Sequence, residues 1–284
     1  MTKLKVAVQK GGRLSEKSVA LLRSCGIKVS NGGKLRSEAS NFPLEVLYLR
    51  DDDIPQYVAD GVADLGIVGE NVVKEKKKDI EVAEALGFAK CRLSMAVQRE
   101  LNYPGIAWFN GKKIATSYPN IVQIFLDENG LTAEIEEISG SVEIAPSIGL
   151  ADAVCDIVST GSTLLANGLK EVETVDRSEA VLIQNKNLSS EKTELVEKLL
   201  FRIRAVNKAD KFKYILLNAP NESLDQISSL LPGMKSPTVL PLAQEGWSSM
   251  HSVVKEDEFW EVIDKLKSAG AEGILVCPIE KMVV

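Results

Sequence analysis

Asp156-Ile157-Val158-Ser159-Thr160-Gly161-Ser162-Thr163-Leu164 passes from one kind of local structure to another and on to a third. An apolar strand over 154–158 carries a carboxylate near its end. A turn of small and hydroxyl residues follows, and a helix starts at Leu164. Strand, tight turn and helix in this order form the repeat unit of an α/β fold. Such a turn offers backbone N–H groups at a helix N-terminus, where the helix dipole favours an anion. Gly161 permits close backbone approach and an unusual φ. Ser159, Thr160, Ser162 and Thr163 add hydroxyl donors, and Asp156 is placed to hold sugar hydroxyls or magnesium. On these residues alone two readings stand: a loop for a ribose 5-phosphate, or an ordinary capped turn with Asp156 exposed. It is not a Walker loop, because GxxxxGK[ST] is missing.

The same alternation extends in both directions. Towards the N-terminus, residues 4–9 read as a buried strand, and Gly11-Gly12 as a turn. Ser15 is the expected N-cap of a helix ending near Gly26. Strands are expected at 44–49 and 64–68, with a short helix at 54–59 stopped by Gly61. The run from Lys74, KEKKKD, reads as a solvated helix end. Further strands fit 92–97, 113–116 and 132–138, and helices fit 121–128 and 145–150. Apolar strands separated by helices imply a mostly parallel sheet covered on both faces. A strand over 177–184 is placed to return to the first sheet, which makes the first domain discontinuous.

Beyond Ser189, Leu195, Leu199 and Ile203 recur every four residues, with Val196, Leu200 and Val206 alongside. That is the core-facing stripe of a long helix reaching about Asn207. The polar break at 208–211 marks a boundary. Strand 213–217, helix 223–231, strands 238–241 and 247–253, helix 256–269 and strand 273–277 then give a ferredoxin-like βαββαβ unit.

Composition narrows the function classes. The 284 residues hold 34 Lys and Arg against 40 Asp and Glu, a net charge of −6. That disfavours general nucleic-acid or membrane-surface binding. No apolar run approaches the ~20 residues needed to span a bilayer, and residues 1–17 lack the apolar core and cleavage site of an export signal. The four cysteines, Cys25, Cys91, Cys155 and Cys277, form no CxxC pair and read as buried free thiols in a reducing cytosol. The single histidine, His251, excludes histidine-rich metal sites. It reads as an ordinary strand residue.

The span 143–164 resembles the signature of the ATP phosphoribosyltransferase family. Glu143, Gly149, Ala151, Val154, Asp156, Ile157, Thr160, Gly161, Thr163 and Leu164 stand at the family's spacing. Gln9-Lys10-Gly11-Gly12-Arg13-Leu14-Ser15 is similar to the family's N-terminal loop. Arg50-Asp51-Asp52-Asp53-Ile54-Pro55, Asp64-Leu65-Gly66-Ile67-Val68-Gly69, Thr116-Ser117-Tyr118-Pro119, Ser236-Pro237-Thr238-Val239 and Pro278-Ile279-Glu280-Lys281 extend the similarity along nearly the whole chain.

The resemblance implies a two-lobed catalytic part like type II periplasmic binding proteins, with the active site between the lobes. A C-terminal ACT-like regulatory domain of the long, feedback-regulated form follows. The expected division is 1–90 with 174–188, then 91–173, a connecting helix 189–211, and a regulatory domain 212–284. The implied reaction joins phosphoribosyl pyrophosphate to N1 of ATP, with magnesium, at the start of histidine synthesis in the cytoplasm. Asp156 and the 159–163 loop would bind phosphoribosyl pyrophosphate, and Glu143 with Asp156 would face the ribose and the metal. Lys10 and Arg13 are the expected catalytic cations. Gly11, Arg13, Arg50, Asp64, Glu70 and Tyr118 are the expected ATP residues. Histidine would inhibit through Asn218, Met234, Thr238 and Gly273, by shifting an active dimer to a hexamer. A solute-binding protein of the same fold, a phosphoribosyltransferase for another base and an inactive regulatory relative are the competing readings. The missing export signal, the terminal family segments and the intact loop argue against them in turn.

Overall fold

The computed structural model describes residues 2–29, 35–231 and 233–283. It divides into two compact units, Met1–Glu197 and Lys198–Val284.

The first unit contains two sheets. The first is built from β1 (Leu4–Gln9), β2 (Arg36–Glu38), β3 (Leu44–Leu49), β4 (Leu65–Gly69) and β5 (Glu81–Ala85), joined by one later strand. Its helices are α1 (Gly12–Ser24), α2 (Ile54–Ala59) and α3 (Glu70–Lys76). β1 and β3 are apolar almost throughout and nearly wholly buried, as a strand covered on both faces must be. α2 packs Ile54 and Val58 onto the sheet, with Ala7, Val68 and Ile183 in the same cluster. Gly66 allows that approach, because a Cβ there would lie 2.5 Å from Ile54 Cγ2. Truncating the fully buried Ile54 to alanine should cost about 2–5 kcal/mol.

The second sheet comprises β6 (Cys91–Gln98), β7 (Lys113–Thr116), β8 (Glu134–Glu137), β9 (Ala153–Val158) and β10 (Leu169–Ser178), with α4 (Pro119–Glu128) and α5 (Ser162–Ala166). Leu93, Met95, Val97 and Phe109 pack with Ile121, Val122 and Leu126 of α4 on one side. Ala96, Val154, Val158 and Leu164 form the core on the other. β11 (Ala180–Gln184) then returns to the first sheet, between β4 and β5. The sheet orders are β2-β3-β1-β4-β11-β5 and β10-β6-β9-β7-β8.

Several sequence expectations need correction. The sheets are mixed rather than mostly parallel: β3-β1-β4 and β8-β7-β9 run parallel, whereas the other pairings are antiparallel. β6 enters the second sheet and β11 re-enters the first through short connections without a crossover helix, and both lie antiparallel to their neighbours. The expected strand 177–184 is interrupted at Glu179. Thr174 and Ser178 still pair with Ser94 and Cys91 in the second sheet, so the crossing lies after 178 rather than at 174. β2 and β5 were not foreseen, because polar edge strands such as Glu81-Val82-Ala83-Glu84-Ala85 lack a buried pattern. α1 opens at Gly12 with an extended Gly11 as N-cap, so Ser15 lies buried inside the helix. Residues 145–150 do not form the expected α-helix. Ala145, Ser147 and Gly149 N–H groups bond back three residues, to Val142, Ile144 and Pro146, giving successive tight turns. Cys25 and Cys155 are buried, but Cys91 is half-buried and Cys277 exposed.

α6 (Ser190–Ala209) carries the expected stripe, with Val196, Leu199, Leu200, Ile203 and Val206 buried. Its residues from Lys198 onward belong to the second unit. That unit continues with β12 (Phe212–Pro220), α7 (Leu224–Leu230), β13 (Thr238–Pro241), β14 (Trp247–Lys255), α8 (Glu256–Ser268) and β15 (Glu272–Pro278). The sheet order β13-β14-β12-β15 and its antiparallel pairings are those of the ferredoxin-like arrangement. Alternate residues Ile215, Leu217 and Ala219 face Ile227, Phe259 and Leu266 of the helices. The opposite face carries Tyr214 and His251, whose Nδ1 lies 3.0 Å from Tyr214 Oη and whose Nε2 lies 3.2 Å from Ser249 Oγ.

Candidate active site

The parallel strands deliver the expected side chains by their carboxyl ends, where open α/β sheets place ligands. Lys10, Gly11 and Arg13 follow β1, Arg50 follows β3, and Glu70 follows β4. Lys10 N–H donates to Leu49 O at 2.7 Å, which ties the β1 loop to the Arg50 loop. Lys10, Gly11, Arg13 and Arg50 are exposed. In the second sheet Tyr118 follows β7, Glu143 follows β8, and Ser159–Thr163 follow β9.

Asp64 departs from this pattern. It precedes β4, at the opposite end of that strand from Glu70. The residue is 3% exposed. It accepts Lys5 N–H at 2.8 Å and a 2.6 Å ion pair from Lys192. Its expected ATP role is therefore corrected to a structural one.

Tyr118, directly after β7, feels charges carried at strand ends of both sheets. Burial raises its phenol above its ordinary pKa, and so do the charges of Asp156 from the second sheet and of Asp51 and Asp52 from the first. Asp156 is half-buried and its Oδ1 accepts Ile157 N–H at 2.7 Å. Burial pushes its carboxyl above the ordinary value. The Ile157 hydrogen bond opposes this, and the charge of Glu143 adds to it. Two carboxylates that repel one another suit a ligand that brings positive charge.

The loop after β9 turns into α5 at Gly161, whose φ of +80° places it in the left-handed region open to glycine. Ser159, Thr160, Ser162 and Thr163 are exposed, and the Thr160 and Ser162 hydroxyls lie 3.0 Å apart. Backbone and hydroxyl donors on one exposed turn can bind a phosphate monoester. Oxygen donors such as Glu143 and Asp156 suit a hard divalent cation. No group of three or more metal-ligating side chains occurs among the described residues.

A sequence model of the ATP phosphoribosyltransferase family matches residues 50–205, more than half of the chain. The chain belongs to the ATP phosphoribosyltransferase family. A model of that family's C-terminal domain matches residues 209–281. The ATP phosphoribosyltransferases of Cytophaga hutchinsonii and Bacteroides thetaiotaomicron are each 61% identical to it, across 99% of this chain and 99% and 100% of theirs. An ATP phosphoribosyltransferase structure from Thermotoga maritima, from a HisG:HisZ complex, is 29% identical with a TM-score of 0.59. It covers 71% of this chain and 98% of its own. An L-arginine-bound protein, Tv2483, at 13% identity and a TM-score of 0.53, covers 73% of this chain and 86% of its own and shares the fold alone. As an ATP phosphoribosyltransferase, the protein is a transferase of the first step of histidine biosynthesis, moving the phosphoribosyl group of phosphoribosyl pyrophosphate to N1 of ATP. Enzymes of this family require a metal ion. No helix among the described residues is long and apolar enough to cross a membrane.

The sequence-predicted regulatory residues of this ATP phosphoribosyltransferase lie in the second unit and are only partly grouped. Asn218 Nδ2 would lie 3.4 Å from a Cβ on Gly273. Thr238 pairs with His251, which pairs with Leu216, so Thr238 is two strands away from Asn218 on the same sheet. Met234 is 52% exposed in the segment before β13. Sequence reasoning missed Asp51 and Asp52 as charges facing Tyr118. Their place directly after an apolar strand was the available signal.

Proposed function

We propose that phosphoribosyl pyrophosphate binds with its 5-phosphate on Ser159, Thr160, Gly161, Ser162 and Thr163. Asp156 and Glu143 hold the ribose and stabilise positive charge developing at C1. The ATP adenine lies on the Tyr118 side, towards Gly11, Arg13, Arg50 and Glu70. Adenine N1 already carries a lone pair, so no strong base is needed. Positioning and charge stabilisation are what remain for the protein. Lys10 and Arg13, with Arg50, neutralise the departing pyrophosphate. Magnesium, when bound, supplies further neutralisation of that leaving group. The observation that carries this reading is Asp156, which feels the charge of Glu143, acts on Tyr118 and directly precedes an exposed hydroxyl loop.

The protein further reads as the long, histidine-inhibited form, acting in the cytoplasm. Residues 1–90 with the returning strand form one catalytic domain, and 91 to about 178 form the other. Residues 212–284 are the regulatory domain, joined through the helix at 189–211. The match to the Thermotoga maritima chain of the HisG:HisZ complex supports this, because nearly all of that chain aligns with only 71% of this one. Histidine bound near Asn218, Gly273, Thr238 and Met234 would favour a hexamer over an active dimer, by its differential affinity for the two states. The test is an absorbance assay of phosphoribosyl-ATP formation with magnesium and pyrophosphatase, with and without histidine. Product suppressed by histidine supports both parts. Product without suppression removes the regulatory reading.

A further inference from the structure

The reacting groups leave unexplained how α3, a helix of the first lobe, is fastened to the second. Lys74 Nζ donates to both carboxylate oxygens of Asp176 on β10, at 2.9 Å each. Its neighbour Glu75 is 6% exposed. Glu75 Oε1 accepts Asn120 N–H at 3.0 Å and Asn120 Nδ2 at 3.1 Å, and Oε2 accepts Ile121 N–H at 3.1 Å. The Glu75 carbonyl also accepts Asn120 Nδ2 at 3.1 Å.

Asn120 and Ile121 are in the first turn of α4. The N-cap of α4 is Tyr118, and it makes no side-chain capping bond. A helix start needs acceptors for its free N–H groups and favours negative charge there. In this protein the acceptor comes from the other lobe. Satisfying the start of α4 therefore also sets where Tyr118 stands relative to the strand ends of the first lobe, which carry Asp51 and Asp52.

We infer that Glu75 is a positioning residue for phosphoribosyl transfer: by capping α4 across the lobe boundary, it holds Tyr118 in register with the nucleotide side of the site. The inference rests on the reading of Tyr118 as an ATP-side residue. A cap with only a local role would stabilise α4 without regard to the lobe that supplies it, and that difference can be measured.

Glu75→Ala should raise the KM for ATP about tenfold, the scale of a lost charged hydrogen bond. The Kd for phosphoribosyl pyrophosphate alone should stay within about twofold of wild type, because the hydrogen bonds Glu75 accepts come from Asn120 and Ile121 and not from Asp156 or the 159–163 loop. Glu75→Ala combined with Asn120→Asp returns a negative charge to the start of α4 from α4 itself. It should recover unfolding temperature and keep the raised KM. Recovery of both overturns the inference, and so does a wild-type KM for ATP in Glu75→Ala. If Glu75→Ala does not fold, Glu75→Gln retains one acceptor oxygen and should shift the same KM by a smaller factor; no shift overturns the inference. Tyr118→Ala measured alongside separates the two readings. A wild-type KM for ATP in Tyr118→Ala removes the ATP role of Tyr118 and overturns the inference through that reading, whereas a raised KM in Tyr118→Ala with a wild-type KM in Glu75→Ala overturns the inference alone.

Discussion

Lys192 of α6 reaches the start of β4 and places its ammonium 2.6 Å from Asp64 Oδ1. The carboxylate is almost wholly enclosed. Removing one partner of such a pair leaves a buried charge uncompensated, which is strongly destabilising. Lys192→Ala should therefore lower unfolding free energy by about 2–4 kcal/mol while leaving the KM for ATP unchanged. Denaturant unfolding and initial rates check both halves. A selective loss of ATP affinity in a fully stable variant would return Asp64 to the active site.

Asp156 should show opposed effects on stability and activity. Its carboxyl titrates above the ordinary value in the folded chain, chiefly through burial. The stabilising contribution of the protonated form is complete below the unfolded pKa and is lost as pH rises through the folded one. At neutral pH the charge is therefore a burden on the fold. Asp156→Asn should unfold at a higher temperature than wild type at pH 7, with the difference vanishing towards pH 3. Its rate should fall roughly 10²–10³-fold. Wild-type kinetics in this variant would remove Asp156 from the mechanism.

The hydroxyl loop makes a narrower prediction. Thr163→Ala should raise the KM for phosphoribosyl pyrophosphate by about tenfold or more, the scale of a hydrogen bond to a charged group. Stability should hardly change, because Thr163 is exposed. Thermal unfolding and substrate titration on the same sample distinguish this from general damage.

Glu171 governs part of the acid response. Arg92 hydrogen-bonds it and lowers its pKa. Burial opposes that, and Ser94 Oγ, donating at 2.8 Å, lowers it further. The stability this provides is present above the unfolded value near 4.5 and is lost as pH falls through the lower folded value. Glu171→Gln should flatten the decline in unfolding temperature below pH 4.5. An unchanged acid limb would show that other carboxylates dominate it.

For regulation, Asn218→Ala should weaken histidine inhibition about tenfold, the scale of lost polar contacts to a charged ligand, with uninhibited rates retained. A point variant is preferable to deleting residues 212–284. The deletion would strip α6 residues such as Leu199, Ile203 and Val206 from the unit they belong to. Unaltered inhibition in Asn218→Ala would move the effector site elsewhere.

The local pattern carried much of this protein. Apolar strands such as 4–9 and 44–49, the hydroxyl turn after Asp156 and the βαββαβ order after 212 were all legible, because each depends on residues close in the chain. The family signature at 143–164 named the chemistry for the same reason. The polar edge strands β2 and β5 were not legible, since an exposed edge needs no hydrophobic period. Nor could spacing separate Asp64 from Glu70. They flank one strand and differ only in which end of the parallel set they occupy. The cap that Glu75 supplies to Asn120 and Ile121 joins residues about 45 positions apart. Local pattern decides which segments form strands, helices and turns. Which carboxylate faces a substrate, a lysine or a helix start is decided when distant segments meet, because burial and Coulomb interactions depend on distance in space rather than along the chain.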